Sequence, residues 1–114
     1  MALKPTMSKT LAVIGGALML ASNALAYDAL VLGAPSDPAW NDDVREKIHC
    51  TGFFASVDYL DVGSETPALA DLQVYDAVLV YSEVAFDDAA ALGDVLADYN
   101  DGGGGVVVAV GTCL

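Results

Sequence analysis

The chain has 114 residues, enough for one small domain. Apolar residues make up 55% of it and charged residues only 18%, which excludes a disordered chain. Acids outnumber bases 16 to 4, for a net charge of −12; a nucleic-acid binder needs a basic face, so that class is excluded, and binding to anionic lipid is disfavoured on the same grounds.

Residues 1–26 have the three parts of a secretory signal peptide. Lys4 and Lys9 form the positive end, Leu11 to Ala21 the uncharged apolar run, and Ala24-Leu25-Ala26 the small-x-small cleavage pattern. The run is too short to span a bilayer. The expectation is a secreted or periplasmic domain over residues 27–114, with no membrane contact after cleavage. Cleavage removes Lys4 and Lys9 and leaves Arg45 and Lys47 against all 16 acids, a charge of −14. Such a surface repels other anions, and it suits a salty habitat where ions screen the self-repulsion. Two cysteines are too few for a disulfide scaffold or a Cys-rich zinc site.

From Tyr27 onward, four apolar runs alternate with helical patterns. Ala29 to Gly33 is the first predicted strand. Trp40, Val44 and Ile48 then form one stripe of a helix from about Asn41 to Cys50, with Asn41 as its cap and Gly52 as its stop. Val57 to Val62 is the second strand. Thr66-Pro67 has the cap-then-proline order of a short helix whose apolar side is Leu69 and Leu72. Ala77 to Tyr81 is the third strand. Leu92, Val95, Leu96 and Tyr99 give a clear helical face from about Asp88 to Asn100, stopped by Gly102 to Gly105. Val106 to Val110 is the fourth strand.

Strands one, three and four are apolar on both faces, as in a parallel sheet covered on both sides. The alternation predicts a doubly wound parallel α/β sheet, flavodoxin-like, in strand order 2-1-3-4, with 1-2-3-4 as the alternative. That order puts Val106 to Val110 at an edge, although the segment lacks the charge, proline or bulge that normally guards one. It also places the first helix on one face and the other two on the opposite face. The expectation is an apparently truncated domain, completed by a further strand and helix or by a partner, with self-association through the fourth strand as one route.

Ligands of such sheets bind at the carboxyl ends of the strands. The loops there offer Ser36 and Asp37 after the first strand, Glu65 after the second, Ser82 and Glu83 after the third, and Gly111-Thr112-Cys113 after the fourth. Ser36, Asp37, Glu65, Ser82 and Glu83 are the candidate ligand-binding residues. No nucleotide-binding glycine motif is present, and no cofactor or resident metal is expected. Asp37, Glu65, Glu83 and Asp87 together could hold a hard cation through carboxylate oxygens. His49, the only histidine, falls in the last turn of the first helix, at the opposite end of the sheet, where a positive charge suits the helix dipole. Cys50 and Cys113 fall at opposite ends of the sheet, too far apart to bridge.

Residues 28–114 resemble the class I glutamine amidotransferase-like superfamily, including its ThuA-like members. The likeness is carried by the β-α order, the Tyr75-Asp76 lead-in to the third strand, and residues 96–110 (LADYNDGGGGVVVAV). Gly111 and Cys113 match the first half of the family's Gly-x-Cys-x-Gly nucleophile turn, so the resemblance implies Cys113 as candidate nucleophile. The family's later His and Glu partners are not in this sequence, and Tyr81-Ser82-Glu83 replaces the Gly pair expected after the third strand. A thiol without a base stays protonated at neutral pH. The resemblance therefore implies an exported, non-catalytic domain with a binding or scaffolding role within a larger periplasmic or surface protein, with a small molecule or carbohydrate as ligand. The alternatives are half of a cysteine-nucleophile hydrolase and a cation-dependent interaction module.

Overall fold

A computed structural model describes residues 27–109. Seven elements alternate along them: β1 (Asp28–Ala34), α1 (Ala39–His49), β2 (Ser56–Asp61), α2 (Leu69–Leu72), β3 (Ala77–Ser82), α3 (Ala89–Asp101) and β4 (Gly105–Ala109). The strands form one parallel sheet in the order β2-β1-β3-β4. This is the doubly wound, flavodoxin-like arrangement predicted, and the 1-2-3-4 order is excluded. Val31 at the centre lies between Tyr59 of β2 and Leu79 of β3, and Leu79 in turn faces Val107 of β4.

Period-two alternation divides the core into two halves. Leu30, Leu32 and Ala34 of β1 join Val78 and Val80 of β3 on one face, sealed by Leu72 of α2 and by Leu92 and Tyr99 of α3. Ala29 and Val31 point to the other face, where Val57 of β2 and Val44 and Ile48 of α1 meet them. β1 is thus clothed on both sides, which is why Ala29 to Ala34 contains no polar residue. The α1 side of the sheet is covered over β1 and β2 only. On β4, Val107 on that side and Val108 on the other are 62% and 63% exposed.

The helix boundaries follow local chemistry, with two corrections. α1 begins at Ala39, not Asn41. Pro38 is at the cap position, and Asp37 supplies the capping oxygen: its Oδ1 accepts the Ala39 N–H at 3.0 Å. Asn41 lies inside the helix with 1% of its surface exposed, while Trp40 is 41% exposed. The inward-facing stripe is therefore buried Asn41 with half-buried Val44 and Ile48. α2 begins after Thr66-Pro67, at Leu69, where the Asp71 carboxylate accepts the Ala68 N–H at 3.0 Å. The proline sets up the approach to this helix instead of occupying its first turn. α3 is capped as expected, Asp88 accepting the Ala91 N–H at 3.0 Å. Gly52 (φ 80°) and Gly103 (φ 106°) end α1 and α3 in the left-handed region, which side chains disfavour. Among the described residues no helix is long and apolar enough to cross a membrane.

Candidate functional site

The carboxyl ends of β1, β2 and β3 form a crest at which the candidate residues can be placed one by one. Ser36 and Glu83, far apart in sequence, are brought together: the Ser36 hydroxyl donates to Glu83 Oε1 at 2.9 Å. Asp37 is turned inward to the start of α1 as its cap. Ser82 ends β3 in register with Ala34 of β1. Glu65 is exposed in the β2–α2 loop and takes no part in these bonds. Asp61 folds back to accept the Gly63 N–H at 2.9 Å. The crest acids Asp37, Asp61 and Asp88 thus bond to backbone N–H groups. Among the described residues no three His, Cys, Asp or Glu side chains gather closely enough to hold a metal ion. Cys113 and its turn lie outside the described residues, as does the signal segment.

Sequence reasoning missed a buried polar group of the crest. The Tyr81 hydroxyl donates to Asn41 Oδ1 at 2.7 Å, and Asn41 Nδ2 reaches the Gly33 carbonyl at 3.4 Å. This ties the end of β3 to α1 across β1. Burial, reinforced by the charges of Asp61 and Glu83, raises the Tyr81 pKa, so its phenol stays a donor. The available signal was the spacing 41-44-48, which fits a helical stripe as well as 40-44-48 does.

The opposite end of the sheet, its foot, carries a second polar group. Tyr75 donates its hydroxyl to Asp58 Oδ2 at 2.7 Å, and its carbonyl accepts from the Tyr99 hydroxyl at 2.7 Å. Asp76 accepts the Asp28 N–H at 2.8 Å, and Asp28 accepts from Ser56 at 2.7 Å. A cleft of about 220 Å³ opens here between Tyr75, Asp76, Asp98, Tyr99 and the Gly102–Gly104 turn. Asp98 and Asp101 close α3, whose last turn holds no basic residue. Helix dipoles disfavour anions at that end by about 0.3–1 kcal/mol at a surface, so these acids do not help the helix.

Burial raises the Tyr75 pKa above its ordinary value of 10, helped by the hydrogen bond to Asp58 and the charges of Asp58, Asp28 and Asp71. The stability this represents is complete below pH 10. It is lost as pH rises above 10, where the unfolded chain releases the proton and the folded one retains it. Urea unfolding measured from pH 9 to 11 should show stability falling with pH, and falling less steeply in Tyr75→Phe. Equal slopes would show that Tyr75 is not held protonated.

The geometry defines a small doubly wound α/β domain of flavodoxin-like topology. Compared with known proteins, the chain matches no family model, no curated protein and no solved structure.

Proposed function

We propose that this is an exported, non-catalytic binding or scaffolding domain that works by accepting a strand at β4. Export rests on the n-region, apolar run and cleavage pattern of residues 1–26. The observation that carries the binding role is the contrast between the two edges of the sheet. The β2 edge contains Asp58 and Asp61, charges of the kind that discourage edge pairing. The β4 edge, Gly105–Ala109, has no charge and no proline, Val107 and Val108 are exposed on it, and among the described residues β4 pairs with β3 alone. Strand addition would supply main-chain hydrogen bonds along this edge and cover both valines.

Hydrogen exchange tests the reading. A peptide of alternating valine and threonine, added in excess, should slow exchange of the β4 amides that β3 does not bond. Val107→Lys should abolish that protection, with little loss of stability because the side chain is exposed. Exchange in β4 that stays unchanged at saturating peptide and high protein concentration would refute it.

A further inference from the structure

Resting on that reading, we infer that the strand β4 accepts belongs to another polypeptide and carries a lysine or arginine that seats in the acidic cleft at the foot of the sheet. The cleft and the edge are continuous. Gly102 to Gly104 wall the cleft and lead directly into β4 at Gly105, whose N–H points to the Asp76 carbonyl at 3.4 Å. Neighbouring strands lie about 4.8 Å apart, so a long side chain from an added strand has one strand to cross. The cleft is lined by Asp98, by Asp76, whose Oδ2 already accepts the Asp28 N–H at 2.8 Å, and by Tyr75 and the buried Tyr99. Asp98 takes no side-chain hydrogen bond among the described residues, and it stands at the end of α3 where the backbone dipole repels it. A bound cation would offset that repulsion.

Charge also rules against a second copy of this chain. Among the described residues the basic side chains are Arg45 and Lys47, both on α1. Arg45 is bonded to Asp42 and Glu46, and Lys47 to Asp43. Two-fold pairing of β4 with itself would be antiparallel, since a two-fold axis reverses the strand. The acidic foot of one copy, with Asp76 and Asp98, would then lie beside the crest of the other, where Glu83 follows β3. The net charge of −12 opposes that approach further, whereas a basic segment is attracted.

The test uses two labelled peptides of alternating valine and threonine, one with lysine at each end and one with glutamine at each end. Binding to the full chain is measured by fluorescence anisotropy at low and at high salt, with hydrogen exchange of β4 as a parallel readout. The lysine peptide should bind at least tenfold more tightly at low salt, and salt should erode the difference. Asp98→Asn should bring the two peptides to similar affinity, while Asp94→Asn, on the same helix but outside the cleft, should keep the lysine preference. Equal affinity of both peptides for the unaltered protein, with β4 protected by each, would overturn the basic partner and leave strand addition standing. Failure of both peptides to protect β4 would overturn both readings. A concentration-dependent dimer that excludes both peptides would give the edge to a second copy and overturn the inference.

Discussion

Gly33→Ala should lower the thermal midpoint by 10 °C or more, although the change adds a single methyl group. Gly33 is the next-to-last residue of the central strand and lies beneath the Asn41–Tyr81 bond. A Cβ there would overlap Asn41 Oδ1 and lie 2.6 Å from Tyr81 Cζ. Neither neighbour can move cheaply. Asn41 is buried and bonded on both sides, to the Tyr81 hydroxyl and the Gly33 carbonyl. Overpacking costs about 1–3 kcal/mol. Displacing Asn41 so that its amide loses its partners costs a further ~1–3 kcal/mol. A domain of this size has roughly 4–12 kcal/mol of stability in total, and each kcal/mol is worth about 4–8 °C. The clash should therefore remove a large share of the folding free energy. Thermal and urea unfolding would measure it. Because both changes act on one contact, Gly33→Ala with Asn41→Ala should cost less than the sum of the two single variants. A Gly33→Ala protein within about 0.5 kcal/mol of the original would show that Asn41 and Tyr81 do not close over this strand.

The parts of this fold legible in the sequence are those that one strong local signal determines. ALVLG and AVLV carry no polar side chain, so they read as strands apolar on both faces, and they lie at β1 and β3. Leu92 to Tyr99 has a single helical face, and Asp88 before it has the oxygen a cap needs. The misassignments come where two local readings were equally good. Asn is a favoured cap and can equally sit in a first turn, and Trp40 and Asn41 are adjacent on a helix whose stripe can start at either. The decision came from Tyr81, whose hydroxyl needs a partner at that point and lies forty positions away in the chain. Thr66-Pro67 misled similarly, because proline constrains φ but does not require that the next turn be helical. The Ser36–Glu83 bond was partly legible: both residues belong to crest loops of adjacent strands, but their contact depends on the β1–β3 register. The foot cleft was not anticipated, since it joins residues before β3 with the end of α3.

Leu72→Ala should cost about 2–5 kcal/mol, the range for deleting a fully buried leucine. Its side chain has no exposed surface and is the only buried one in α2. A four-residue helix is far below the length at which helices persist alone, so α2 exists because Leu72 anchors it. The loss should spread along a defined path. The Leu72 carbonyl accepts the Tyr75 N–H at 3.0 Å, and Tyr75 in turn bonds Asp58 and Tyr99. Loosening α2 therefore loosens one wall of the foot cleft, and amide exchange at Gln73 to Asp76 should accelerate beyond what global destabilisation explains. Leu69, only half-buried on the same turn, provides the control: Leu69→Ala should cost clearly less. Leu72→Met keeps nearly the same volume and should stay within about 1.5 kcal/mol of the original. If Leu69→Ala cost as much as Leu72→Ala, the short helix would be docked through its other side, and the cleft wall would need a different support.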